Sequence, residues 1–280
     1  MSDPFAGAAP PAQIPADSQR IQHGSKRPYA TFRVTAALML REMSTRYGKS
    51  PGGYVWALIE PLGAIFILAT VMALIVRSPA LGNSYILFYA TGILPFGLYQ
   101  SVSNNVSRSI NFSRALLFYP AVTWVDAVLA RFTLNVLTEL LVKVIIFSVV
   151  LLVTDSQAVL SVGPIMMSVL SCIVFAFGVG MLNCTLNGLF PVWMHVWSIL
   201  TRPLFLLSGI FFLYESVPPA AQHLMWYNPL IHIIGMMRDG FYPTYSPTYT
   251  SPIYVMVVGI ICLFLGIVLM ARYHREILNA

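Results

Sequence analysis

The sequence predicts an all-α integral membrane protein with six transmembrane helices, an N-terminal interfacial amphipathic helix, and short re-entrant helices before the last span. Three observations carry this expectation. The 280 residues are 58% hydrophobic and 9% charged, with a mean hydropathy of +0.76, outside the range of soluble domains. Six mostly apolar runs, 54–76, 85–106, 124–153, 163–186, 193–213 and 253–271, are each long enough to cross a hydrocarbon core as a helix. The basic residues are also unevenly placed. Arg20, Lys26, Arg27, Arg33, Arg41, Arg46 and Lys49 precede the first run, Arg108 and Arg114 follow the second, and Arg272 and Arg275 follow the last. The other side receives only Arg77 and Arg238. The positive-inside rule then puts both termini and the 107–123 link in the cytoplasm. The net charge of +6 orients the chain and requires no nucleic acid partner.

Residues 1–30 are rich in Pro, Ala and polar side chains, lack a signal-type apolar core, and read as a disordered cytoplasmic arm. In 31–47 (TFRVTAALMLREMSTRY), Phe32, Ala36, Met39, Leu40, Met43 and Tyr47 share one helical face, with Arg33, Arg41, Glu42 and Arg46 mostly elsewhere. That is the pattern of a helix lying in the membrane interface. GKSPGG (48–53) breaks it and turns the chain into the bilayer. The first span carries Glu60 before Pro61, close enough to the cytoplasmic boundary to reach headgroup water. The third carries Asp126, Arg131 and then Glu139 and Lys143, whose i, i+4 spacing lets them pair on one face. An internal salt bridge is the simpler reading of that pair and a proton relay the sharper one. A proton-coupled carrier would show further intramembrane acids and repeated broken helices, and neither is present.

Cys172, Cys184 and Cys262 all fall inside spans, which argues against a disulfide framework or a thiolate metal site. The five histidines lack ligand spacing, and there is no G-x-x-x-x-G-K-[ST], H-E-x-x-H, C-x-x-C or G-x-S-x-G. The chain therefore has no phosphate-cradling loop of its own. A membrane-bound glycan or lipid enzyme would need convergent acids, and only Asp126 with Glu60 and Glu215 with Asp239 offer themselves. Residues 214–252 are too apolar in IIGMM for an ordinary loop and too rich in proline to cross, so they read as short helices dipping into the outer leaflet. Aromatic residues gather toward the outer side, among them Phe66, Tyr85, Tyr89, Phe96, Tyr99, Phe211, Trp226 and Tyr227. An interfacial belt explains most of them, and the remainder could line a polysaccharide path.

The segments R-Y-G-K-S-x-G-G-x-x-W-x-L-I-E-P-L (Arg46 to Leu62), a basic link ending in Phe118-Tyr119-Pro120, and W-Y-N-P-L-I-H-I-I-G-M-M-R-D-G-F-Y (Trp226 to Tyr242) occur in an order that resembles the permease subunits of type-2 ABC exporters. The likeness covers about 31–275, with 276–280 as a cytoplasmic tail, and is nearest to the inner-membrane permeases of Gram-negative capsular polysaccharide export; O-antigen and teichoic acid permeases share the layout. The resemblance implies that 107–120 is a coupling helix docking in a separate ATPase subunit, with Arg108, Asn111 and Arg114 as its polar grip, Phe118 as its apolar anchor and Pro120 as its stop. The 188–195 loop would be a smaller second contact. It further implies two copies around a channel, two ATPase subunits that hold ATP and Mg, no cofactor in this chain, and a lipid-linked glycan as cargo. In a capsule system, a periplasmic adaptor and an outer-membrane exporter would follow. Arg46, Trp56 and Glu60 would border the cytoplasmic mouth. Asn228, Pro229, His232 and Arg238 would form the motif at the periplasmic exit, within the 214–245 re-entrant segment.

Overall fold

The computed structural model describes residues 30–47, 53–117, 122–154 and 160–279, and these are helical with no strand among them. The helices are α1 (Ala30–Tyr47), α2 (Gly53–Ile75), α3 (Tyr85–Ser107), α4 (Ser109–Leu117), α5 (Trp124–Val153), α6 (Val162–Leu189), α7 (Trp193–Leu206), α8 (Pro219–Trp226), α9 (Pro229–Phe241) and α10 (Pro252–Asn279). Four segments are long and apolar enough to cross a membrane, Val55–Ile75, Trp124–Val153, Val162–Leu189 and Pro252–Leu278, so the protein is a multi-pass membrane protein.

Helix α3 is also long enough, but its second half carries Gln100, Ser101, Ser103, Asn104 and Asn105. It tolerates them because it runs through the centre of the bundle, with most of its residues buried. The fifth expected span is shorter than the sequence suggests. Helix α7 stops at Leu206, so its 14 residues reach only about 21 Å. Beyond it Gly209 takes a φ of 81°, a left-handed turn that ends the helix and packs Ile210 against α3, its Cα lying 3.2 Å from where a Cβ on Gly92 would be.

The core lies where α3, α6, α9 and α10 meet. Helix α6 packs closely on α10 because small residues face each other there. A Cβ on Gly178 would sit 2.0 Å from the Gly259 carbonyl oxygen, and the Thr185 hydroxyl donates to the Gly266 carbonyl at 3.1 Å. Helix α9 is buried on nearly every side, with His232 and Arg238 buried among its apolar residues. It lies at the end of the bundle opposite α4: Phe241 stacks on Phe147 near the end of α5, and the Gly240 carbonyl accepts from the Ser161 amide at the start of α6.

Local sequence fixes several ends. Thr123 and Asp126 form a reciprocal capping box at the start of α5, which gives Asp126 a structural role. Ser84 caps α3, and Asn228 caps α9 with Pro229 as its first residue.

Candidate functional site

At one end of the bundle, α4 turns away from α3 at Arg108, and the Ser109 hydroxyl takes up the Val106 carbonyl at 2.7 Å. Ser109, Ile110 and Ser113 are buried, which leaves Arg108, Asn111, Phe112 and Ala115 exposed at i, i+3, i+4, i+7 spacing. The result is a short helix clamped on its inner face and open on its outer one. Phe118 and Pro120 lie outside the described residues. Arg114, expected in the polar grip, is exposed, and its guanidinium donates to the Leu278 carbonyl at 3.1 Å, satisfying an end carbonyl of α10. That contact and the packing of Ile277 against Gly188 put α4, the α6–α7 link and the C-terminal turn of α10 at the same end.

Arg131 joins four helices there. Its Nε donates to Glu42 Oε1 of α1 at 2.9 Å, its Nη1 donates to the Asn105 carbonyl of α3 at 3.3 Å, and its Cζ lies 4.1 Å above the Phe112 ring of α4. Both charged side chains are nearly buried, so the pair is held by mutual attraction and hydrogen bonds rather than by water. Helix α1 therefore turns Glu42 inward against α5 while Leu40 and Met43, on the expected apolar face, are exposed. The apolar spacing of α1 could not show this, because the reason is a cation on a distant helix.

The contacts continue inward. Asn105 Nδ2 donates to the Ser101 carbonyl at 2.8 Å, the Ser101 hydroxyl donates to Glu139 Oε1 at 2.6 Å, and Lys143 pairs with Glu139 Oε2. Lys143 fits over Gly97, where a Cβ would lie 3.7 Å from its Nζ. The expected Glu139–Lys143 pair thus forms on the seam between α3 and α5, tied to a serine as a structural bridge.

The aromatic residues divide. Tyr89, Phe96 and Tyr99 are core residues, 4%, 5% and 1% exposed in the single chain. Tyr99 stacks on Phe175 and Phe96 packs edge-on to Phe205, because α3 is the central helix and its aromatic face turns inward. Tyr85 is half-buried and donates to the Val76 carbonyl, closing the α2–α3 turn, while Phe211 packs against Phe205. Phe66 and Tyr227 remain exposed. So do Trp56 and Glu60 on α2, whereas Arg46 lies on α1 with its side chain outside the described residues.

At the opposite end, Asn228 Nδ2 donates to the Leu207 carbonyl at 3.1 Å. Buried Arg238 donates to the Phe212 carbonyl through Nη1 and to the Ile210 carbonyl through Nη2, both at 3.1 Å, with its Cζ 4.2 Å above the Phe88 ring. Together they fix the turn after α7. His232 donates from Nε2 to the Trp226 carbonyl at 2.8 Å and accepts at Nδ1 from the Ser251 amide at 3.2 Å, so the imidazole is a neutral tautomer. Nearby, the Tyr245 hydroxyl donates to Glu215 at 3.2 Å and lies 3.4 Å from that of Tyr249, whose pKa burial pushes up to about 12. The motif is a tightly tied knot with no exposed acid–base pair.

Phe112 and Glu42 are the residues that sequence reasoning missed. Phe112 was legible as an apolar residue one position after Asn111 in a basic link, but Glu42 carried no signal.

Comparison with known proteins places this geometry. Residues 33–242 match the ABC-2 type transporter family. The capsule polysaccharide export inner-membrane protein CtrC of Neisseria meningitidis is 27% identical over 249 residues, covering 88% of this chain and 92% of that protein. The polysialic acid transport protein KpsM of Escherichia coli is 28% identical over 244 residues, covering 87% and 95%. The capsule polysaccharide export inner-membrane protein BexB of Haemophilus influenzae is 28% identical over 245 residues, covering 88% and 92%. With the family match spanning most of the chain and the helices in the order described above, this protein is a member of the ABC-2 type transporter family.

Proposed function

We propose that the chain is the membrane-spanning permease subunit of an ATP-driven exporter that carries a lipid-linked capsular polysaccharide from the cytoplasm across the inner membrane. The observation that carries the reading is α4, a short helix with one buried and one open face, in a chain aligned almost end to end with capsule-export membrane proteins. In this reading α2, α3, α5, α6, α7 and α10 are the six spans, both termini are cytoplasmic, and α8 and α9 sit in the outer leaflet. Helix α7 is short because the turn pinned by Asn228 and Arg238 completes the crossing.

The division of labour follows from the side chains. ATP and Mg belong to a separate ATPase subunit, one beneath each of two permease copies, and the open face of α4 (Arg108, Asn111, Phe112, Ala115) docks in it. Movement of α4 reaches α1, α3 and α5 through Arg131, because one guanidinium touches all of them. Four elements fastened to one side chain move as a rigid body, which suits domain rocking better than local flexing. Past the periplasmic exit the glycan would pass to an adaptor and an outer-membrane exporter.

The test is the location of glycan in a clean deletion, by antibody labelling of intact and lysed cells. Capsular polymer trapped inside is the expected result. Loss from both fractions would point to synthesis, and loss of O-antigen in its place would redirect the cargo. Unchanged surface glycan would sink the reading.

A further inference from the structure

Ionisable side chains on the spans mostly have partners within the chain. Asp126 caps α5, Arg131 pairs with Glu42, and Glu139 pairs with Lys143. Glu60 on α2 and Arg202 on α7 do not. Both are exposed, and neither has a hydrogen bond or ion pair among the described residues. Each sits in an apolar face. Trp56, Ile59 and Phe66 are exposed around Glu60, and Ile199 and Leu206 lie about a turn on either side of Arg202.

Their depths agree. With the topology proposed above, α2 and α7 both start at the cytoplasmic side. Glu60 then lies about 10 Å along its helix and Arg202 about 14 Å along its own. An ionised group at such a depth on an apolar face is costly against lipid and is normally turned toward protein or water. Within the chain α2 packs chiefly on α3 and α5, and α7 on α6, so the two charges do not meet. Opposite sign, matched depth and an apolar surround on each side are what a self-complementary surface requires.

We propose that Glu60 of one copy pairs with Arg202 of a second copy, with α2 packed against the partner's α7, so that two-fold symmetry gives each dimer two such bridges. The proposal rests on the exporter reading for its topology and names the partner surface that reading leaves open. It explains why α7 has no buried residue in the single chain: its partner is the other copy. It also gives the Glu60-Pro61 element a task beyond bordering the cytoplasmic mouth. Pro61 frees the Ala57 carbonyl one turn earlier, adding an acceptor beside the bridge.

The test uses the full chain co-expressed with its ATPase in native membranes. One copy carries Glu60→Cys and one affinity tag, the other Arg202→Cys and a second tag, and vesicles are treated with a short bis-maleimide. The expected result is a cross-linked species bearing both tags, absent when either introduced cysteine is missing. In parallel, Glu60→Arg and Arg202→Glu should each cut surface glycan by about tenfold or more, with the double swap recovering most of it. No doubly tagged species, with variants at normal membrane levels, would overturn the contact. A cross-link without recovery in the double swap, or single reversals that export normally, would overturn the ion pair and leave Glu60 and Arg202 reaching headgroups. The cross-link is read without any glycan, so a wrong cargo and a wrong interface give different results.

Discussion

Arg131 shows how much one side chain can organise. Removing its charge would take from buried Glu42 the guanidinium 2.9 Å away, and breaking one side of a buried pair costs far more than the intact pair contributes. Arg131→Met is expected to lower unfolding stability in detergent by about 3 kcal/mol, whereas Glu42→Leu with Arg131→Met should recover most of it. A double variant no more stable than Arg131→Met would show that the lost contacts to Asn105 and Phe112 dominate. His232 makes a pH-dependent prediction. Burial holds its pKa below the ordinary 6.5, and protonating Nδ1 would set two donors against each other at the Ser251 amide. The unfolded chain binds this proton more readily than the folded one. Its contribution is therefore complete above about pH 6.5 and is lost as the pH falls from there toward the folded pKa. Thermal melts between pH 7.5 and about 5 should show the decline, and His232→Asn should flatten it. At this scale legibility depended on separation. The Glu139–Lys143 spacing is readable because four residues make one helical turn, while Arg131 and Glu42 lie 89 positions apart.

Helices α4, α6 and α10 carry the predictions at the scale of elements. The outer face of α4 is free of packing at Arg108 and Ala115, so Arg108→Glu with Ala115→Asp should leave the melting temperature unchanged. The same pair should reduce ATPase co-purification by about tenfold, through like-charge and desolvation costs at the contact. Normal co-purification would remove α4 from the docking surface. Where α6 meets α10, Gly178→Leu must push the helices apart, because even a Cβ would overlap the Gly259 carbonyl. A loss of about 1–3 kcal/mol is expected, read as a lower melting temperature. Gly63→Ala in α2, where nothing lies within 4 Å of the new Cβ, is the control and should be neutral or slightly stabilising. The ends of α2, α3, α5, α6 and α10 were readable to within a few residues, except that α10 runs on to Asn279. The end of α7 was not. Its apolar run continues to Leu213, and only the left-handed Gly209 and the carbonyls held by Asn228 and Arg238 stop the helix.

Across the whole molecule, the sequence by itself determined that this is an α-helical membrane protein and where the link helix lies. Those properties follow from hydropathy and short-range spacing, which are additive along the chain. It also determined the family, since the motifs keep their order over most of the length. Only the tertiary structure decided which polar and aromatic residues face inward. Tyr89, Phe96 and Tyr99 read as path-lining aromatics, yet they are core because α3 runs through the middle of the bundle. Arg114 reads as part of a polar grip, and the structure adds that it holds the end of α10. A side chain's direction is set by which helices surround its own, and in a membrane both lipid and protein core are apolar, so hydropathy cannot tell one environment from the other.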